Sequence, residues 1–199
     1  MINSQNYLGP VRYAQELILK GTPMIVFDVK TTGSNLVKDK VFAFSGIKVV
    51  KEKETALIID TLDILTNPGF SVSENYGRMI PDRVLSAAPG EEECFGKIYD
   101  FFGKEPFVCG YNSIAFDSKF MQQMYSRYKN EDFSPSFHLD IRKMAGEKLD
   151  LENYRLKLVA RTLDADGGIE YNRPIDDVIV AYRCWTVLER YYDEIKSIT

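Results

Sequence analysis

The sequence predicts an α/β sandwich built on a mixed sheet. Three strand-like apolar segments joined by short connections come first, at residues 24–30, 41–50 and 55–61. A helix–strand–helix alternation follows them, and the chain closes on a long stretch with helical apolar spacing. Strands first and alternation later require a sheet with both antiparallel and parallel neighbours, covered by helices.

Each element has a local reason. From Pro10 to Lys20, Val11, Ala14, Leu17 and Ile18 share one helical face, Pro10 suits the first turn and Gly21 ends the helix. The three strand segments, with connections such as Lys51–Glu54, suit an antiparallel meander. Residues 64–80 read as an irregular surface loop with a turn at Asn67-Pro68-Gly69. Pro81–Ala88 reads as a short helix. A second runs from Pro89 to Phe102, with Glu91, Glu92 and Glu93 where the helix dipole favours acids. A buried strand at Pro106–Tyr111 leads into a helix from about Ser118 to Lys129, and Phe137–Ile141 is a short extended segment. Tyr154–Leu163 and Ile175–Ile195 are the last expected helices.

The chain has 199 residues, of which 45% are hydrophobic, enough for one domain with a real core. It shows no internal repeat, low-complexity run or linker-like stretch, so residues 1–199 are expected to form a single domain: a helical extension at 1–22 and a core at 23–195. No apolar run approaches the roughly 18–20 residues that span a bilayer. The first residues lack the basic flank and apolar stretch of a signal peptide, so a cytoplasmic location without membrane contact is expected. Cys94, Cys109 and Cys184 lie far apart in apolar surroundings and fit reduced core thiols better than disulfides or zinc ligands. His138 is the only histidine, so a histidine-rich metal site or a Ser–His hydrolase would need that one residue. The net charge of −4 argues against a dedicated duplex binder, but not against a nuclease whose acidic pocket lowers the global charge.

Residues 24–33, Met-Ile-Val-Phe-Asp-Val-Lys-Thr-Thr-Gly, carry the chemistry. An apolar strand delivers Asp28 at its end, and a Thr31-Thr32-Gly33 turn follows. Strand side chains alternate faces, so Asp28 and residue 30 point the same way roughly 6–7 Å apart. Carboxylates at both would cradle magnesium, but position 30 is lysine. Asp117 and Asp177 each open a helix and could meet Asp28 at one sheet edge. Alone, each of the three has an ordinary structural use, as a turn residue or a helix N-terminal acid. Together they would repel unless cations neutralised them, and two divalent ions could then activate a water against a phosphodiester.

At this point the chain resembles the DEDD superfamily of 3′–5′ exonucleases, with a ribonuclease-H-like fold. The proofreading subunit of DNA polymerase III, the PolC-type exonuclease domain and bacterial exonuclease I are its nearest likenesses within that superfamily. Asp28-Val29-Lys30-Thr31-Thr32-Gly33 resembles the first family motif, Asp-x-Glu-Thr-Thr-Gly. Gly110-Tyr111-Asn112 through Phe116-Asp117 resembles the second, and Asn172-Arg173-Pro174-Ile175-Asp176-Asp177-Val178 the third, His-Arg-Ala-Leu-x-Asp-Ala. The likeness runs from about Met24 to Tyr192 and implies a mixed five-stranded sheet flanked by helices.

The resemblance implies a ligand set of Asp28, Asp117 and Asp177 for magnesium or manganese. It also implies contacts from Thr31, Thr32, Gly33 and Asn112 to the 3′-terminal nucleotide of single-stranded DNA or RNA. Lys38, Lys40, Lys119 and Arg173 are candidate phosphate contacts, with solvated surface charge as the ordinary alternative. A homodimer or a polymerase-type protein partner is a further implication.

Two departures fall on the chemistry. The motif Glu that binds metal is Lys30, and the His that acts as general base is Asn172, whose amide can at most orient a water. If Asp176 were the ligand in place of Asp177, Tyr171 would take the base position instead. An ammonium roughly 4 Å from a divalent ion repels it about twice as strongly as the ~4 kcal/mol between unit charges near a protein surface. Two arrangements follow: the Lys30 ammonium pairs with Asp28 and Asp177 in place of the cation, or it swings out to solvent. The expected function is an exonuclease-family domain that binds a nucleic-acid 3′ end and is catalytically impaired. An active exonuclease with a reduced ligand set and a protein-docking module of the same ancestry are the alternatives.

Overall fold

The computed structural model describes residues 7–52, 55–70, 72, 80–104 and 106–193. Among them five strands form one sheet: β1 (Met24–Thr31), β2 (Val41–Glu52), β3 (Thr55–Leu65), β4 (Phe107–Gly110) and β5 (Phe137–Asp140). Their order is β3-β2-β1-β4-β5. β1 pairs antiparallel with β2, and β2 with β3, which is the expected meander. β4 runs parallel to both β1 and β5, so the sheet is mixed.

The period-two alternation of β1 divides the core. Met24 and Val26 pack with Val178, Ala181, Cys184 and Trp185 of helix α7 (Pro174–Leu188) and with Val11, Ala14 and Ile18 of helix α1 (Leu8–Leu19). Ile25, Phe27 and Val29 pack on the other face. There they meet Phe95, Ile98 and Phe102 of helix α3 (Glu91–Phe102), and Phe120, Met121 and Met124 of helix α4 (Asp117–Lys129). β1 is therefore covered on both sides, as a central strand with a continuous apolar run requires. Cys94, Cys109 and Cys184 are buried and free.

Helix α2 (Asp82–Ser86) lies within the predicted segment 81–88. Beyond shifts of a residue or two at element ends, the structure departs from expectation in three places. β3 runs on past the expected 61 to Leu65, because Leu62 and Asp63 keep strand pairing with β2 and so do Ile64 and Leu65, where the irregular loop was expected to begin. Helix α5 (Ile141–Lys148) was not anticipated: Asp140 ends β5 and at once caps this helix, accepting the Arg142 N–H at 3.0 Å. The long C-terminal helix is divided at Glu189 into α7 and α8 (Arg190–Asp193). Helix α6 (Leu156–Thr162) falls within the expected span. Residues 53–54 of the Lys51–Glu54 connection, residues 71 and 73–79 of the expected loop, and residues 194–195 of the last helix lie outside the described residues. So do residues 1–6 of the stretch read for a signal peptide.

Among the described residues no helix is long and apolar enough to cross a membrane.

Candidate active site

The site forms where β1 and β4 part. Their parallel pairing runs from Met24↔Phe107 to Val26↔Cys109. Three residues further on, the Val29 N–H donates instead to Asp117 Oδ1, at 2.9 Å. The splayed strands thus admit the N-terminus of α4 to the sheet. Gly110 ends β4 under tight packing: a Cβ there would sit 2.6 Å from the Ser113 side chain and 2.9 Å from the Phe27 carbonyl oxygen. Only glycine lets the chain turn against β1 at this point.

On β1, Asp28 and Lys30 continue the face of Met24 and Val26, which looks toward α7. That face brings them to Asp177 in the first turn of α7. Lys30 Nζ donates to Asp177 Oδ2 and lies 2.7 Å from Asp28 Oδ2. The second contact is an ion pair outside good hydrogen-bond geometry, so Asp28 Oδ2 is a buried acceptor held by charge. About a fifth of each side chain reaches water: 21% for Lys30, 23% for Asp28 and 19% for Asp177. The ammonium therefore lies between the carboxylates rather than in solvent.

The electrostatics follow from this placement. Burial works against the Lys30 charge, but attraction to Asp28 and Asp177 outweighs it and holds the ammonium above the ordinary lysine range. Burial pushes the Asp28 carboxyl up; Lys30 opposes the shift, and the like charge of Asp177 adds to it. Asp117 is pushed well above the carboxylate range, first by burial and then by Asp28, against the Val29 amide. A divalent cation does not fit this cluster as it stands, because an ammonium already occupies the space between two of the carboxylates. Among the described residues no group of three or more His, Cys, Asp or Glu side chains is arranged to hold a metal ion.

The other predicted residues divide into those at the cleft and those elsewhere. A cleft of about 240 Å³ is lined by Asp28, Val29, Lys30, Thr31, Tyr111, Asn112, Phe116 and Asp117. Thr31 is buried and donates its hydroxyl to the Gly33 carbonyl at 2.6 Å. Thr32 donates to Asp39 Oδ1 at 2.9 Å and accepts the Lys40 N–H at 3.1 Å. Asn112 has a positive φ of 62°. Its N–H donates to Asp140 Oδ1 at 3.0 Å, and its Oδ1 accepts from Arg142 at 2.9 Å. Asn172 is not brought to the cluster: it is exposed and donates to Glu170 at 2.7 Å.

Asp176 is turned away as well. Its carboxylate accepts the Arg173 backbone N–H at 2.9 Å and the Arg173 guanidinium at 2.8 Å, closing a capping box. The third-motif position at the cluster is therefore Asp177, and Arg173 spends its guanidinium on its own helix. A larger cavity, about 890 Å³, is lined by Arg12, Val49, Tyr182, Trp185 and Glu189 among others, and by none of the candidate site residues.

Three supporting residues escaped the sequence. Asp39 closes the Thr32–Gly33 turn, also accepting the Asn35 N–H at 2.7 Å. Asp140 accepts the N–H groups of Asn112, Ile114 and Arg142 and so fixes the second-motif loop. His138 bridges Ser113 at 2.9 Å and Ser118 at 3.2 Å, on either side of Asp117. Burial, and then Lys143, lower it to about 4, so the ring is neutral at pH 7. An Asp just ahead of an apolar i, i+3, i+4 set (Ile141, Met144, Ala145) was the available signal for Asp140. His138 had none, because Ser113 and Ser118 lie 25 and 20 residues away in sequence.

Comparison with known proteins agrees with the geometry. The family model described as Exonuclease (RNase_T) matches residues 25–194. The DNA polymerase III PolC-type of Pediococcus pentosaceus is 28% identical over 190 residues, which is 92% of this chain and 13% of that protein. The PolC-type polymerase of Staphylococcus aureus is 32% identical over 130 residues, 64% of this chain and 8% of that one. The chain thus spans about a tenth of these relatives. Among solved structures, E. coli exonuclease I in complex with a dA16 oligonucleotide aligns with a TM-score of 0.64 at 16% identity, covering 88% of this chain and 43% of that one. An ExoI/SSB-Ct complex aligns at 0.65 and 16%, covering 89% and 44%. The chain belongs to the exonuclease family, as a member of the DEDD 3′–5′ exonuclease superfamily with the ribonuclease-H-like fold.

Proposed function

We propose that this domain binds the 3′ end of single-stranded nucleic acid and hydrolyses it poorly or not at all. The observation that carries the proposal is the Lys30 ammonium lodged between Asp28 and Asp177. The family works with divalent metal ions, which need anionic oxygen ligands; here one such position supplies a positive charge instead. The exposed Asn172 amide adds no proton acceptor. Support for end binding comes from the cleft, whose Thr31, Tyr111, Asn112 and Phe116 offer backbone polar groups and aromatic faces beside the cluster. The oligonucleotide complex of E. coli exonuclease I, which shares the fold, adds to it.

Asp28, Asp117, Lys30 and Asp177 set the charge of the site, and Thr31, Thr32, Gly33 and Asn112 shape the pocket for the terminal nucleotide. Fluorescence anisotropy with a single-stranded oligonucleotide, in magnesium and in EDTA, tests the proposal. Salt-dependent binding that survives EDTA is the expected result. Release of mononucleotides by purified protein, abolished in an Asp28→Ala control, would favour the active-enzyme alternative. Absence of binding at low salt would leave the protein-docking alternative.

A further inference from the structure

We propose that Arg142 is the guanidinium fork that grips a backbone phosphate of the bound strand at the rim of the cleft, a role that rests on that cleft taking a nucleic-acid end. The cleft floor offers no spare positive charge, because the Lys30 ammonium is committed to Asp28 and Asp177. Arg173 and Arg142 differ in which edge of the guanidinium stays open. Arg173 turns Nε and Nη2 onto Asp176 Oδ1, at 3.2 and 2.8 Å, which closes the edge that could take two phosphate oxygens. Arg142 commits only Nη1, which donates to Asn112 Oδ1, a neutral amide oxygen, at 2.9 Å. Among the described residues no carboxylate pairs with the Arg142 guanidinium, and no acceptor takes its Nε or Nη2.

Arg142 is exposed, yet it is not loosely placed. Asp140 Oδ1 accepts the N–H groups of both Asn112 and Arg142, each at 3.0 Å. One buried carboxylate oxygen thus ties the first turn of α5 to the loop that lines the cleft. The Asn112 amide then steadies Nη1 and leaves the Nε–Nη2 edge to a ligand. A phosphodiester carries a full negative charge on two unesterified oxygens. Two parallel N–H bonds from one guanidinium edge match that pair, which the point charge of a lysine would not.

Fluorescence anisotropy of an oligothymidylate with the full chain in EDTA, repeated across a salt series, tests this. Arg142→Gln should weaken binding about 10-fold at low salt and flatten the slope of log K against log salt by about 0.7, the share of one single-strand phosphate. Arg142→Lys should keep the slope and bind about 3-fold more weakly, since the charge stays and the fork is lost. Both variants retain the backbone N–H that Asp140 holds. An oligothymidylate with neutral methylphosphonates at its last two 3′ linkages should bind wild type and Arg142→Gln alike. An unchanged slope in Arg142→Gln, or an equal loss on the natural and the neutral strand, would overturn the proposal and leave end binding standing. Absence of salt-dependent binding by wild type would overturn both.

Discussion

The Val29 N–H donates to Asp117 Oδ1 across 88 residues of sequence, at 2.9 Å. This bond replaces the strand pairing that β4 abandons after Cys109. It also ties the N-terminus of α4 to the strand segment between Asp28 and Lys30. A carboxyl pushed upward by burial tolerates this position because the bond needs only an acceptor oxygen, charged or not.

Replacing Asp117 with Ala should therefore cost about 1–3 kcal/mol, since the Val29 N–H would be buried without a partner. Asp117→Asn keeps an acceptor oxygen and should retain most of the stability. Urea denaturation of the two variants against wild type measures the difference.

Lys30→Met removes the cation paired with Asp28 and Asp177. Breaking a fully buried pair costs about 3–5 kcal/mol. With 21% of the lysine side chain open to water, about 2 kcal/mol is expected here. Adding Asp177→Asn should recover part of the loss, because one of the two stranded carboxylates is then neutral. A double-mutant cycle on thermal unfolding checks this.

His138 gives stability a pH dependence of definite sign. Its folded-state value is lowered from 6.5 to about 4, so between those values the unfolded chain binds the extra proton. Its contribution is complete above about pH 6.5 and is lost as pH falls toward 4, amounting to up to about 3 kcal/mol. Asp28 and Asp117, both raised, act oppositely: their contribution is fullest in acid and declines as pH climbs past the ordinary carboxylate range. The raised Lys30 contribution holds through neutral pH and fades only above the ordinary lysine range. Subtracting the pH–stability curve of His138→Gln from that of wild type should isolate the histidine slope.

Gly33→Ala should disturb the turn after β1 more than the fold. A Cβ at this position would run into the Asp39 carboxylate, which is held by Thr32 and the Asn35 N–H. A loss of about 1 kcal/mol in stability is expected, with a larger proportional loss of oligonucleotide affinity. Gly33→Ala/Asp39→Ala removes the collision, and its unfolding midpoint should lie above the sum of the two single losses.

Legibility in the sequence tracked how local the signal was. Met24–Phe27 announced a central strand because a continuous apolar run fits burial on both faces, and Asp28 and Lys30 shared a face by the period of two. Asp177 could be placed at the start of a helix, but its separation from Asp176 came from the capping box, a three-dimensional contact. Helix α5 went unread because one residue, Asp140, is both the last of a strand and the cap of the helix, leaving no spacer to mark a boundary. Lys30 was visible as a departure from the motif. Its two partners became definite only when strand β1 and helix α7 were brought together.

The N-terminal helix begins outside the span matched by the family model, yet its preceding residue is wired to the cleft. The Asp140 N–H donates to the Tyr7 hydroxyl at 2.9 Å, and the Asp140 carboxylate in turn holds the Asn112 loop. A recombinant fragment trimmed to the family boundary at residue 25 would discard that anchor together with the Val11, Ala14 and Ile18 packing. Amide exchange at Asn112 and Ile114 should then accelerate in the trimmed fragment, so the excision point itself would alter what is measured at the cleft.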